Sequence, residues 1–316
     1  MRHKACMYQV LMDEPRRTAI PVMRNGKGQA PSPRGRGRRL SGLRVVGRLT
    51  LCLFCLFLAA CASQPLTVTR EPVALRLVAA DSCAALAEQL AAAYEEARPW
   101  VTIHVEVFDN SLAERTLREG DADLALLSWL EQGQGSDEGA GGGALWSHPL
   151  TRDGIAVVAN SRVPFTDTGV AFLQEIFRGQ VQEWGGVVLT VVSREDGSGT
   201  RAAFESVVLG GYDVTRTAVV MPSSQAVVEH VARTEGAIGY VSTLWVGEAV
   251  PQAQGVRVLP VDGVSPTWSA ITDGSYPLSR SLYLAALSEP SGAGRAFAQW
   301  AVGSGGQAVA FRLGGG

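Results

Sequence analysis

Between an apolar run and a helical pattern, the chain carries Ser193-Arg194, then Asp196-Gly197-Ser198-Gly199-Thr200. The first turn of a helix leaves backbone N–H groups unpaired and carries partial positive charge, so it attracts a tetrahedral oxyanion. Glycines let backbone come close, and the Ser198 and Thr200 hydroxyls add donors. Arg194 would contribute a full charge and a fork of parallel N–H groups, the geometry that suits phosphate or sulfate. Asp196 then reads as the partner that orients Arg194, since a carboxylate facing an anion would repel it. A plainer reading stands beside this one: Asp196 and Ser198 cap a helix after a glycine turn.

The elements around this stretch alternate. Strands are expected at 73–78, 101–107, 123–128, 154–159, 187–192, 217–220, 237–241, 256–259 and 282–287, and helices at 83–96, 112–119, 171–177, 201–209, 224–234 and 292–302. Strand and helix in turn predict an α/β fold with parallel neighbours. In such sheets ligands gather where strand ends meet helix starts, which is where 193–200 falls. The glycine-rich stretch 132–143 reads as a surface loop. Tyr94, Phe177 and Trp184 read as packing residues, Cys83 as a small buried group and His104 as solvent-facing.

The first 60 residues read as an export signal with a basic extension: RGRGRRLSGLRVVGR, then LTLCLFCLFLAA, too short to span a bilayer comfortably. Leu58-Ala59-Ala60-Cys61 resembles a bacterial lipobox, which predicts lipidation of Cys61 and a tether over 61–72. Of 28 Lys+Arg and 30 Asp+Glu, 12 and 2 lie in residues 1–60, so the remainder carries 16 minus 28, or −12. An acidic body without a broad basic face excludes nucleic acid as the expected partner. With one cysteine left after Cys61 and His3 in the leader, neither an internal disulfide nor a metal-ligand cluster is expected, and no cofactor.

Five stretches carry a resemblance. They are Arg152–Asn160 (RDGIAVVAN), Leu173–Gly179 with Trp184-Gly185-Gly186, Ser193–Phe204, Gly236–Val241 and the terminal helix 292–302. In order and spacing they resemble the PstS-like phosphate-binding proteins of ABC transporters. The resemblance implies a two-lobed periplasmic-binding-protein (type II) fold, with 73–150 plus 242–316 as the first lobe, 151–241 as the second, and the ligand in the cleft between them. It also implies that Arg194, Ser198, Gly199 and Thr200 bind the anion while Asp196 orients Arg194. Phosphate and an ABC permease would be the partners of a monomer anchored through Cys61, facing the periplasm or cell exterior.

The first-lobe loops depart from the family pattern. Ser82, Asn110, Ser111 and Ser128 remain as candidate ligands, but Ser128 is followed by Trp129 where the family has an aspartate that accepts the phosphate proton. Asp81 or Asp109 could supply that acceptor, or each could cap the helix after it. An enzyme is not expected, because no nucleophile-plus-base set or G-x-S-x-G elbow occurs. The altered loops leave a second reading open, a degenerate binding fold serving as sensor or scaffold.

Overall fold

The structure is a computed structural model that describes residues 70–130, 144–164, 166–246 and 254–314. The export-signal, lipobox and Cys61 readings, and the loop at 132–143, lie outside these residues.

Val73–Ala80 (β1), Val101–Phe108 (β2) and Leu124–Leu127 (β3) pair in parallel, with β1 in the middle. Ala84–Ala97 (α1) and Asn110–Glu119 (α2) supply the crossovers. Alternation along β1 sorts its side chains onto two faces. Leu75, Leu77 and Ala79 join Leu86, Leu90 and Tyr94 of α1, while Val78 joins Ala113 and Leu117 of α2. Both faces of the strand are covered by helices, which is why its sequence runs almost wholly apolar.

The next strand, Trp146–Asn160 (β4), is far longer than the expected 154–159. Fifteen residues at about 3.3 Å each span roughly 50 Å, enough to serve both halves of one sheet in series. Its first part pairs antiparallel with Ser279–Ala286 (β11), which also pairs with β3; its last part pairs antiparallel with Ala237–Ser242 (β9) and Val256–Leu259 (β10). Beyond β9, parallel pairing resumes with Thr190–Arg194 (β7) and Val219–Met221 (β8). The parallel expectation thus holds at both ends of the sheet and fails at its centre. There the chain runs straight between halves rather than crossing over by a helix.

The second half repeats the two-faced core. Ile155, Val157 and Ala159 of β4 pack with Phe177 of Val170–Phe177 (α3) and Phe204 of Gly199–Val207 (α4), while Ala156 and Val158 pack with Val227 and Val231 of Ser224–Arg233 (α5). Phe204 and Tyr240 stack at 4.1 Å. Residues from 256–278 also pack here: β10 pairs with β4, and Leu259, Ile271, Tyr276 and Leu278 enter the same cluster as Phe177. By contrast Leu244, Phe297 and Val309 enter the first-half core.

Other expectations divide. The strand read at 187–192 splits into a hairpin, Glu183–Trp184 (β5) with Val187–Val188 (β6), and β7. Trp184 packs against Phe172, as a packing residue should, while staying 43% exposed. Tyr94 and Phe177 are in the core and His104 faces solvent. Helices Trp268–Asp273 (α6) and Ser304–Gly314 (α8) were not foreseen; Gly292–Val302 (α7) was. No helix among the described residues is long and apolar enough to cross a membrane.

Candidate functional site

Arg194 is the last residue of β7, and Ser198 is the N-cap of α4, its hydroxyl accepting from the Arg201 N–H at 3.4 Å. A turn closed by Ser198 N–H to Glu195 O (3.0 Å) joins them. The strand-end and helix-start geometry expected of the sequence is present, and Ser198, Thr200 and Arg194 are buried.

The Arg194 side chain is only 2% exposed. Guanidinium has five N–H bonds, and each has an acceptor. Nε donates to Glu195 Oε2 (3.1 Å), Nη1 to Asp81 Oδ2 (2.9 Å) and Ser224 Oγ (3.0 Å), and Nη2 to Glu195 Oε1 (2.7 Å) and Pro222 O (3.4 Å). Burial alone would lower its pKa, but the hydrogen bonds and charges of Glu195 and Asp81 outweigh that and raise it, so the group stays cationic. Asp196 does not orient Arg194. Its carboxylate pairs with Arg201 at the surface, and the adjacent Glu195 takes the orienting role, both its oxygens accepting from the Arg194 guanidinium.

Asp81 comes from the first half, in the turn Asp81–Cys83 that follows β1. It makes no side-chain cap of its own helix. Instead Oδ2 accepts from Arg194 Nη1, Ser224 Oγ (2.8 Å) and Ser224 N–H (3.2 Å), the last two at the N-terminus of α5. Asp109 behaves as the plainer reading has it, capping α2 through Leu112 N–H at 2.9 Å.

Asn110 and Ser128 are buried beside Gly199. The Asn110 amide is occupied locally: Oδ1 accepts from the Ser128 and Trp129 N–H groups (2.9 and 3.1 Å), and Nδ2 donates to Trp129 O at 3.1 Å. It positions the loop after β3. Ser111 has an exposed side chain and meets the second half through its backbone, donating to Gly197 O at 3.1 Å. Ser82 is buried with its hydroxyl 4.0 Å from Cys83 Sγ.

A Cβ on Gly199 would stand 2.7 Å from Asn110 Oδ1 and 2.9 Å from its Cγ, with Ser128 Oγ closer still. Gly199→Ala should therefore force the first-half loops away from α4 and cost about 1–3 kcal/mol, read as a lowered urea midpoint.

Sequence reasoning missed a second buried arginine. Arg280 of β11 sits opposite Asp153 of β4, with side chains 5% and 0% exposed. Its Nε and Nη2 donate to Asp153 Oδ2 (2.9 and 2.8 Å), Nη2 also to Thr200 Oγ1 (3.1 Å) and Nη1 to Gly199 O (3.3 Å). Because Thr200 Oγ1 accepts from Arg280, its own O–H is left to donate elsewhere. Asp153 also accepts from Ser242 Oγ (3.0 Å) and Thr243 Oγ1 (2.7 Å). A signal existed in each case. Arg280 and Asp153 each stand just before an apolar run, Leu282–Ala286 and Ile155–Ala159, and charges so close to a core need partners.

Cys83 is buried, as expected, and its thiol is pushed up to about 12, mainly by burial, against the partly opposing charge of Arg280. A raised folded pKa leaves stability unaffected below the ordinary thiol value and lowers it as pH climbs from about 9 toward 12. Alkylation at pH 8, mapped to Cys83 by mass spectrometry, should be negligible in native protein and rapid in urea.

A strand running through both halves, with Arg194 and α4 on one side facing Asp81, Asn110 and Ser128 on the other, defines a two-lobed binding-protein fold with a polar seam at the strand ends. Residues 66–304 match the model of the PBP superfamily domain, and the chain belongs to that superfamily. Among curated proteins it is 29% identical to the phosphate-binding protein PstS of Bacillus subtilis over 174 residues, 54% of this chain and 53% of that one. It is 33% identical to PstS 2 of Streptococcus pneumoniae over 119 residues, 34% of this chain and 38% of that one. The chain thus spans about half the length, or less, of these curated relatives. A phosphate ABC transporter substrate-binding protein of Clostridium perfringens, solved with bound phosphate, superposes with TM-score 0.67 at 25% identity, covering 76% of this chain and 98% of its own. A phosphate transport receptor of Vibrio cholerae gives 0.62 at 25% identity with the same coverage. All four of these relatives are named for phosphate binding or phosphate transport.

Proposed function

We propose that this chain is an extracytoplasmic solute-binding lipoprotein, anchored through Cys61, that captures phosphate or a related tetrahedral oxyanion between its lobes as a monomer and delivers it to an ABC permease. The observation that carries the reading is the α4 N-terminus, where Ser198, Gly199 and Thr200 meet Asn110 and Ser128 of the other half. Arg194 closes the same seam, and the relatives named for phosphate support that choice of ligand. Phosphate would take donors from the helix end, Thr200 and Arg194.

Calorimetric titration with phosphate, sulfate, arsenate and molybdate tests it. Saturable single-site heat with phosphate is the expected result; no saturable heat with any of the four would defeat the reading. A sensor or scaffold without cargo is the second reading, favoured by the complete engagement of the Arg194 donors within the protein, and it predicts that negative titration.

A further inference from the structure

We infer that Asp81 is the affinity-setting residue of this site: its carboxylate, reaching from the first lobe, occupies the anion seat formed by Arg194 and the N-terminus of α5, and so latches the two lobes together in the absence of cargo. The inference rests on the oxyanion reading above.

Three donors converge on Asp81 Oδ2, namely Arg194 Nη1 at 2.9 Å, Ser224 Oγ at 2.8 Å and Ser224 N–H at 3.2 Å. A cation, a hydroxyl and a helix-terminal N–H aimed at one point is how a protein receives an oxyanion oxygen. Here a side chain supplies that oxygen. Ser224 is fully buried and Arg194 nearly so, which makes this a built socket rather than a surface pairing.

The charge count agrees. Arg194 faces two carboxylates, Asp81 and Glu195, so the cluster is net negative and an incoming anion meets repulsion while both remain. Glu195 neighbours Arg194 in its own lobe and grips two of its nitrogens, so it stays with the guanidinium. Asp81 belongs to the other lobe and holds only one nitrogen of the guanidinium, so it is the group that cargo must displace. Its main chain adds to the bridge, with Asp81 O accepting at 3.4 Å from the indole of Trp245, which packs against the Val227–Val231 cluster of the second half. Breaking the latch loosens a second backbone contact across the seam, Ser111 N–H to Gly197 O.

Two measurements on the full chain test this, each comparing the unaltered protein with Asp81→Ala and the shape-conserving Asp81→Asn. Hydrogen exchange without ligand should show the Ser111 amide losing about tenfold protection in Asp81→Ala, although that amide does not touch Asp81. Unchanged protection at Ser111 in both variants overturns the latch. In titrations with inorganic phosphate and with sulfate, Asp81→Ala should bind both anions about tenfold more tightly, and Asp81→Asn should move in the same direction, because removal of a competing carboxylate helps any anion. Weaker phosphate binding with sulfate unchanged would make Asp81 a proton acceptor and overturn the competitor role. If neither anion binds to any of the three proteins, the oxyanion reading falls, and exchange at Ser111 still decides the latch.

Discussion

Arg280→Ala is expected to cost about 4 kcal/mol, because breaking a buried ion pair by removing one partner strands the other charge. Asp153 would remain wholly buried with only the Ser242 and Thr243 hydroxyls as donors. Thr200 and Gly199 would also lose their tie to β11. The urea midpoint should fall while its slope is unchanged. Removing Asp153 as well should return part of the loss, since the two residues are directly coupled. The exposed pair Arg295–Glu289, at 51% and 71%, supplies the contrast: Arg295→Ala should change stability by less than about 1 kcal/mol.

Arg194→Ala is expected to act on stability and binding together. Asp81 and Glu195 retain some contact with water, so the stability loss should sit near the low end for buried pairs, about 3 kcal/mol. Phosphate affinity should fall about 100-fold or more, equivalent to about 2.7 kcal/mol, since a charged fork of donors disappears. Arg194→Lys should recover stability better than affinity, because an ammonium keeps the charge but cannot reach Glu195, Asp81 and Pro222 at once. Equal phosphate binding by the alanine variant would remove Arg194 from the site.

Much of this site was legible in the residues. Ser198, Gly199 and Thr200 begin a helix after a strand because small hydroxyl and glycine residues cap and turn the chain locally, and that chemistry needs no partner from elsewhere. Asp109 announced its cap for the same reason. Asp196 misled, since proximity in sequence does not choose a salt-bridge partner. Glu195 and Asp196 both follow the same arginine, and the turn sends one toward it and the other toward Arg201.

The roles of Asp81, Ser224, Arg280 and Asp153 belong to the fold. Each makes its decisive contact across 30 to 143 residues of chain. Local pattern by itself determined the alternation of strands and helices, the two-faced burial and the capped helix start, because those follow from periodicity and short-range hydrogen bonding. Only the tertiary structure decided that β4 runs through both halves and that residues 256–278 join the second. It also set which carboxylate holds which arginine, because long-range pairing depends on where the strands end in space.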